Sequence, residues 1–289
     1  MKVLVLGAYG MLGHELVRRL NSDYDVYATA RSRNGLKFDA IEENRIILGI
    51  DASNFQSIEK TVSNIQPDVI INCIGLIKQL SSSSDPLLMM YLNSVFPHKC
   101  ANVARDQGAR LIHFSTDCIF SGKRGMYKTA DASDAEDLYG KTKFFGEVSY
   151  NNCLTIRSSI IGPELGTKNG LFEWFLSQRG GSIKGYRNAI YSGFTTLEMS
   201  RIVSTVIDKH PGLHGVCQVA SSPISKFDLL SLINDRIDLG ITIEPDYSFK
   251  CDRSLAGSEF NKATGYQPPS WPQMVDELAE DIVRSRMVG

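Results

Sequence analysis

The 289-residue sequence has no apolar run long enough to cross a membrane and no excess of positive charge. It contains 31 basic and 32 acidic residues, so its formal net charge of -1 argues against a general nucleic-acid-binding surface. The first apolar run, residues 3–6, is also too short for a signal peptide. These absences favour a cytoplasmic protein that has neither a nucleic acid nor a membrane as its partner.

The six cysteines lack the short paired spacings that zinc sites and redox dithiols need. They are Cys73, Cys100, Cys118, Cys153, Cys217 and Cys251. Several lie in apolar runs, which indicates buried free thiols in a reducing compartment. We therefore predict no metal site.

The first half of the chain alternates short β-rich runs with helical patterns. We predict strands at residues 3–6, 25–30, 45–50, 69–74, 111–115 and 154–157. We predict helices after the first strand and at residues 55–65, 87–105 and 138–148. Strands that are apolar on both faces and separated by helices are typical of a parallel sheet covered on both sides. The sequence therefore predicts an α/β protein with a doubly wound Rossmann sheet in residues 1–162.

The pattern changes beyond Gly162, where glycines and short mixed segments become frequent. We assign residues 163–289 to a smaller mixed α/β substrate lobe that is partly interleaved with the main sheet. Further helices are predicted at residues 196–207, 225–233 and 271–284. The serine run at residues 81–84 is interpreted as a flexible loop.

A glycine-rich turn joins the first strand to the first helix, with the spacing G-x-x-G-x-x-G. Glycine permits the tight turn and the close approach of backbone to a pyrophosphate, and the helix N-terminus favours phosphate charge. The strand–turn–helix context supports a dinucleotide site rather than a turn kept for packing. The residues that we predict to contact the cofactor here are Gly7, Tyr9, Gly10, Met11, Leu12 and Gly13.

The second strand is followed by Arg31 and Arg33, where an NAD enzyme usually has a carboxylate for the ribose. A guanidinium can pair with a 2′-phosphate through its planar fork. We therefore predict a preference for NADP(H). The alternative is that both arginines are solvated loop charges.

Tyr139 and Lys143 are four residues apart at the start of a predicted helix, so they share a face. A nearby ammonium favours the phenolate, and we expect Lys143 to lower the pKa of Tyr139 toward the working range. Thr116 follows the fifth strand at the sheet edge where open α/β sheets bind ligands. These three residues are the predicted catalytic groups.

Besides the glycine turn, several short segments of the sequence form a recognisable set. They are Asn72-Cys73, Asn93 with Pro97, Ser115-Thr116-Asp117-Cys118-Ile119-Phe120-Ser121-Gly122, Tyr139-Gly140-Lys141-Thr142-Lys143, Gly146-Glu147, Arg157 with Gly162-Pro163, and Asp252-Arg253-Ser254. With these segments the chain resembles the dTDP-4-dehydrorhamnose reductase family of the extended short-chain dehydrogenase/reductase superfamily. The resemblance is strongest over residues 1–165 and continues more loosely to the end.

The resemblance implies NADPH-dependent reduction of the 4-keto group of a nucleotide-linked 6-deoxysugar, in surface polysaccharide biosynthesis. Tyr139 would protonate the new alkoxide, and Thr116 would orient the carbonyl. Lys143 would lower the pKa of Tyr139 and hold the nicotinamide ribose. Asn93 would support Lys143 through a water molecule.

Further residues complete the predicted sites. Those assigned to the cofactor are Asp51, Cys73, Ile74, Gly75, Asn93 and Lys143. Those assigned to the substrate are Lys78, Cys118, Tyr139, Trp174 and Arg253. Arg253 suits a diphosphate because its fork matches paired phosphate oxygens, although a surface salt bridge is the alternative. Trp174 either lines the substrate mouth or packs the lobe.

Cys118 stands where the family commonly has a tyrosine that shapes the sugar site. Two substrates therefore stay open, dTDP-4-dehydrorhamnose and a UDP-linked N-acetylated analogue. A dehydratase would need glutamate at this position, and Arg31 argues against an epimerase that retains NAD. A non-catalytic NADP-binding regulatory subunit is a further alternative, against which the intact catalytic set argues. A homodimer is the default assembly.

Overall fold

A computed structural model describes residues 1–33, 40–78, 84–166 and 168–287 of the chain. The strands are β1 (Lys2–Leu6), β2 (Asp25–Thr29), β3 (Ile46–Ile47), β4 (Val69–Asn72), β5 (Arg110–Ser115), β6 (Cys153–Arg157), β7 (Ile160–Ile161), β8 (Ser182–Tyr191), β9 (Phe194–Thr195), β10 (Gly215–Gln218), β11 (Ile224–Ser225) and β12 (Thr242–Asp252). The helices are α1 (Met11–Leu20), α2 (Phe55–Ile65), α3 (Pro86–Met90), α4 (Phe96–Asp106), α5 (Leu138–Phe145), α6 (Leu171–Leu176), α7 (Thr196–Lys209), α8 (Lys226–Ile237), α9 (Ser258–Thr264) and α10 (Trp271–Met287).

The main layer is a parallel sheet of seven strands in the order β10-β6-β5-β4-β1-β2-β3. A smaller sheet in the order β11-β8-β12 has one antiparallel and one parallel pair. The doubly wound α/β fold with a smaller mixed sheet is thereby confirmed. Strand β10 comes from the second half of the chain but joins the main sheet beside β6.

The main sheet buries apolar side chains on both faces because its strands alternate. In β1, Val3 and Val5 pack into one core with α1 and α7, whereas Leu4 and Leu6 pack into a second core with α2 and α4. All four side chains are fully buried. This burial on both faces explains why the sequence of β1 is one continuous apolar run.

Helix α1 can approach β1 closely because Gly13 has no side chain. A Cβ atom at this position would lie 2.0 Å from the carbonyl oxygen of Gly7. Gly7 itself has a φ of 93°, which glycine adopts without strain. Both glycines are therefore required by the turn between strand and helix.

Two predicted elements of the first half differ most from the structure, and the helix predicted at residues 138–148 also ends early, at Phe145. The strand predicted at residues 45–50 is reduced to Ile46–Ile47, preceded by a 3-10 turn at Glu43–Arg45. It ends early because Gly49 has a φ of 77°, outside the range of a strand. The single helix predicted at residues 87–105 consists of α3, a π-helical turn at Tyr91–Val95 and α4. Pro97 lies at the start of α4 and has no N–H to continue an α-helical pattern.

The loop expected at residues 81–84 lies, except for Ser84, outside the described residues. Within the part of the chain that is described, no helix is both long and apolar enough to span a membrane. The boundary assigned at residue 162 stays a prediction. Strand β7 ends just before it and pairs with β9.

Candidate active site

A large cleft opens along the carboxyl ends of the parallel strands. It is lined by segments that follow β1, β2, β4 and β5 and by residues of the smaller lobe. Its volume is about 1310 Å³, which exceeds the ~300–1,000 Å³ typical of a pocket for one small molecule. The cleft therefore has room for a dinucleotide and a second ligand.

The glycine turn forms the floor of the cleft at β1. Gly10 is the N-cap residue of α1, and within the described chain no side chain makes a capping hydrogen bond there. The first N–H groups of a helix have no partner inside the helix. Since Gly7, Tyr9, Gly10, Met11 and Leu12 all line the cleft, these groups are placed to bind phosphate oxygens.

The two arginines after β2 differ in position. Arg31 lines the cleft, next to Asp51. Hydrogen bonds from Ser53, together with the charge of Arg31, lower the pKa of Asp51. The guanidinium of Arg33 instead donates to Glu43 Oε1 at 2.6 Å. Of the pair, Arg31 is therefore better placed to receive a phosphate from the cleft.

Thr116 and Tyr139 meet at the end of β5. Thr116 is buried and caps a 3-10 turn at Asp117–Ile119, where its Oγ1 accepts from the N–H of Cys118 at 3.2 Å. Tyr139 lines the cleft beside Thr116, and the Thr116 hydroxyl acts to lower the pKa of the Tyr139 phenol. Gly140 makes this approach possible, since a Cβ there would lie 2.2 Å from the carbonyl oxygen of Cys118.

Lys143 lies one helical turn after Tyr139, on the same face of α5. This helix is capped by Asp137, whose Oδ1 accepts from the N–H of Gly140 at 2.8 Å. Lys143 is 7% exposed, and its Nζ donates to the carbonyl oxygen of Phe114 at 2.6 Å. Burial lowers the pKa of Lys143 from 10.5 to about 8.

The expected effect of Lys143 on Tyr139 is corrected by the structure. The pKa of Tyr139 is raised, first by burial and then by the neighbouring Cys118, while the hydrogen bond with Thr116 acts in the opposite direction. The ammonium of Lys143 is directed to the Phe114 carbonyl instead. At neutral pH Tyr139 therefore keeps its proton, which suits a proton donor.

A buried ion pair lies beneath these groups and was not expected from the sequence as part of the site. Arg157 on β6 makes two 2.7 Å bonds to the two carboxylate oxygens of Glu147, and both side chains are 6% exposed. Glu147 Oε1 also accepts from the hydroxyl of Ser115 at 2.7 Å. Ser115 immediately precedes Thr116, so the pair anchors the end of β5. The resemblance motifs Gly146-Glu147 and Arg157 were the available signal.

Asn93 lies in the π-helical turn and is completely buried. Its Oδ1 accepts from the N–H of Leu76 at 2.8 Å, and its Nδ2 donates to the carbonyl of Leu76 at 2.9 Å. Asn93 thus fixes the segment after β4 that includes Cys73, Ile74 and Gly75, all of which line the cleft. Its support of Lys143 through a water stays a prediction.

The predicted substrate residues differ in whether they line the cleft. Arg253 lines it, donates from Nε to the Phe120 carbonyl at 2.7 Å, and places Nη1 3.7 Å from Cys118 Sγ. Burial raises the pKa of the Cys118 thiol to about 12. Lys78 bonds to Asp137 at 2.5 Å and lies 5.3 Å from the centre of the Tyr139 ring.

Trp174, in α6, is 40% exposed and is not among the described residues that line the cleft. Among the lobe residues that line the cleft and were not expected from the sequence are Lys226, Phe249 and Cys251. The alternation of residues 249, 251 and 253 along one strand was a signal that could have identified two of them.

Comparison with known proteins agrees with this geometry. The family model of the RmlD substrate binding domain matches residues 1–165, which is more than half of the chain. The chain belongs to this family. The resemblance to dTDP-4-dehydrorhamnose reductases is thereby confirmed.

Two curated relatives of this RmlD-family chain differ in the extent of their match. A dTDP-4-dehydrorhamnose reductase of Salmonella typhimurium is 32% identical over 53% of this chain and 48% of its own length. The spore coat polysaccharide biosynthesis protein SpsK of Bacillus subtilis is 23% identical over 97% of both chains. The chain thus spans about half the length of the curated reductases of Salmonella typhimurium and Escherichia coli that it matches, 48% and 46%.

A solved structure covers the whole fold. The dTDP-4-dehydrorhamnose reductase of Bacillus anthracis, in complex with NADP, is 20% identical and has a TM-score of 0.79. The similarity covers 97% of this chain and 99% of that one. It shows that the RmlD-family chain shares this fold along its length.

Replacing Lys143 with methionine is expected to stabilise the folded protein at pH 7. Because the pKa of Lys143 is lowered from 10.5 to about 8, keeping the ammonium buried costs ~3 kcal/mol below pH 8. The lost bond to Phe114 offsets ~1 kcal/mol. Urea unfolding at pH 7 should therefore show a gain of ~2 kcal/mol for Lys143→Met.

The same experiment has a pH signature and a matched control. The unfolded chain keeps its lysine charged up to about pH 10.4, so the penalty in the wild type declines as the pH rises above 8. The advantage of Lys143→Met should shrink between pH 8 and pH 10. Lys141→Met, at an exposed position of the same helix, should change stability little at either pH. A Lys143→Met protein less stable than the wild type at pH 7 would contradict a net cost of burying this ammonium.

Proposed function

We propose that the chain catalyses NADPH-dependent reduction of the 4-keto group of a nucleotide-linked 6-deoxysugar in surface polysaccharide biosynthesis. The observation that carries the proposal is one cleft that is lined by a phosphate-binding glycine turn and by Thr116, Tyr139 and Lys143. The Salmonella relative is named for such a reductase, and the Bacillus anthracis structure is described with NADP.

The residues of the cleft fit the cofactor. The N–H groups of the uncapped α1 N-terminus would bind the pyrophosphate, and Arg31 would bind the 2′-phosphate. Lys143 would hold the nicotinamide ribose. Gly75 lies beside it and has no side chain; a Cβ there would lie 3.3 Å from Asn93 Oδ1 and 3.9 Å from Lys143 Nζ. When bound, NADPH supplies the hydride for the carbonyl carbon.

The protein residues would manage the proton. Thr116 Oγ1 and Tyr139 Oη would donate hydrogen bonds to the 4-keto oxygen and orient the carbonyl. Tyr139 would then give its proton to the developing alkoxide oxygen. The resulting phenolate would be stabilised by the positive charge of Lys143. Arg253 would bind the diphosphate of the sugar nucleotide.

Two substrates remain in the proposal, dTDP-4-dehydrorhamnose and a UDP-linked N-acetylated analogue. Cys118 and Arg253 are adjacent at the sugar end of the cleft, with Arg253 Nη1 3.7 Å from the sulfur. A cysteine is smaller than the tyrosine that the family commonly has here. This leaves space for a substituent on the sugar.

NADPH consumption against a panel of dTDP- and UDP-linked 4-keto-6-deoxysugars tests the proposed reaction. The wild type should turn over at least one of them, and Tyr139→Phe should lower kcat by roughly 10²–10⁴-fold because it removes the proton donor. Tyr150→Phe, at an exposed tyrosine that contacts His98, should keep full activity. Binding of NADPH without turnover of any sugar would contradict the proposal and favour the regulatory alternative.

The cofactor preference depends on Arg31 rather than Arg33. Arg31→Ala should raise the KM for NADPH about tenfold or more, the scale of one charge-assisted phosphate contact, and should leave the KM for NADH nearly unchanged. Arg33→Ala removes a guanidinium that already pairs with Glu43, so its effect should be much smaller. A wild type that binds NADH more tightly than NADPH would contradict the assignment.

A further inference from the structure

The small sheet of the lobe exposes aromatic side chains on neighbouring strands. Tyr186 on β8 is 38% exposed, and Phe249 on β12 is 48% exposed. Their ring centres are 5.0 Å apart, with 51° between the ring planes. An exposed pair of large rings forgoes the free energy of burial, and such exposed apolar surface commonly marks a binding site.

Only one member of the pair reaches the cleft. Phe249 lines it, whereas Tyr186 is not among the described residues that line it and contacts the Phe249 ring in a tilted arrangement. Tyr247 on the same strand is more exposed, at 66%, but is not among the described residues that line the cleft. Exposure alone therefore does not distinguish Phe249, but its position at the cleft does.

Strand β12 leads from Phe249 toward the catalytic groups. Residues 249, 251 and 253 all line the cleft, as expected when alternate side chains of an extended segment share a face. Arg253 contacts Cys118, two residues after Thr116. At about 3.3 Å per residue, Phe249 lies roughly 13 Å from Arg253 along the chain. This distance is on the scale of the ribosyl diphosphate that separates a sugar from its base.

The lobe also contributes positively charged side chains to the cleft. Arg253 and Lys226 are the cations that the described part of the lobe contributes to the cleft lining. Lys226 begins α8, which packs closely on β8 because Gly185 has no side chain. A Cβ at Gly185 would lie 2.9 Å from the Phe227 ring. Ser225 and Asp252, which immediately precede Lys226 and Arg253, both pair with Ile190 on β8, so the two cations flank the same position of the small sheet.

The adenine end of the cofactor would lie in a different part of the cleft from Phe249. Arg31, Ile50 and Asp51 line the cleft beside β2 and β3, at one edge of the main sheet. Phe249 belongs to the lobe that adjoins the loop after β5, several strands away. Phe249 is therefore separated from the residues that would hold the adenine end of the dinucleotide.

We propose that Phe249, supported by Tyr186, stacks against the nucleobase of the substrate, while Lys226 and Arg253 bind its diphosphate. The inference rests on the proposed function, since it takes the second ligand to be a sugar nucleotide. Stacking on an aromatic ring tolerates different bases. This site would accept thymine or uracil, and discrimination between them would depend on other contacts.

Isothermal titration of the full chain with UDP, dTDP and inorganic pyrophosphate tests the platform. Phe249→Ala should weaken UDP and dTDP about tenfold, the scale of one base–aromatic stack, and should leave pyrophosphate binding unchanged. Phe249→Leu should behave in the same way, and Phe249→Trp should retain nucleotide binding. Tyr247→Ala is the matched control, with an exposed ring lost from the same strand and no expected change.

The outcomes separate this inference from the proposed reaction. Equal affinity of the wild type, Phe249→Ala and Phe249→Leu for both nucleotides would overturn the platform even if the wild type reduces a sugar. Weakening by Phe249→Ala in a protein that reduces no sugar of the panel would support the platform and overturn the reaction. A wild type that binds neither nucleotide would overturn the platform. A parallel loss of pyrophosphate binding would also overturn it, because the effect would then not belong to the base.

Discussion

The buried ion pair between Glu147 and Arg157 is the contact on which the geometry of the candidate site depends. It joins β6 to the segment that follows α5, and Glu147 also holds Ser115 at the end of β5. Arg157 further donates to the carbonyl of Thr129 at 3.0 Å. Losing one partner of such a pair costs ~3–5 kcal/mol, because the other charge is left buried and uncompensated. The pair therefore holds together the segments that carry Thr116 and Lys143.

Above this pair, burial shifts the two titrating groups in ways that suit reduction. Burial lowers the pKa of Lys143 and raises the pKa of Tyr139. Tyr139 consequently holds a proton that it can donate. The lowered pKa of Lys143 means that a change in its surroundings can alter its charge. Keeping this ammonium buried lowers the free energy of unfolding, and such a loss of stability is common at active sites.

Much of the fold could be predicted because the local sequence patterns were each consistent with the same parallel sheet. The alternation of apolar runs and helical patterns indicated β1, β4, β5, β6 and the helices between them, and the glycine turn indicated the edge where ligands bind. The early end of β3 and the π-helical turn at Asn93 depended on single backbone positions, Gly49 and Pro97. A single glycine or proline changes the apolar periodicity of a segment very little, so such local exceptions leave only a weak signal in the sequence.

The site was predictable to the extent that its residues lie in short motifs. Thr116, Tyr139 and Lys143 were predicted in this way, and all three line one cleft. The pKa of Tyr139 was expected to fall, but burial and the neighbouring Cys118 raise it, and neither burial nor this contact can be deduced from the spacing of residues in the sequence. Phe249 and Lys226 come from distant parts of the chain, and only the packing of the lobe brings them to the site.

Transfer of deuterium tests the central claim most directly. NADPH carrying deuterium at the transferred position of the nicotinamide would be incubated with the protein and the sugar nucleotide that it consumes, and the product would be characterised by mass spectrometry and NMR. A 4-keto reductase must place one deuterium on carbon 4 of the sugar, which bears the oxygen that we propose Tyr139 protonates. Product without deuterium, or with deuterium at another carbon, would contradict a direct hydride transfer to the 4-keto group in this cleft.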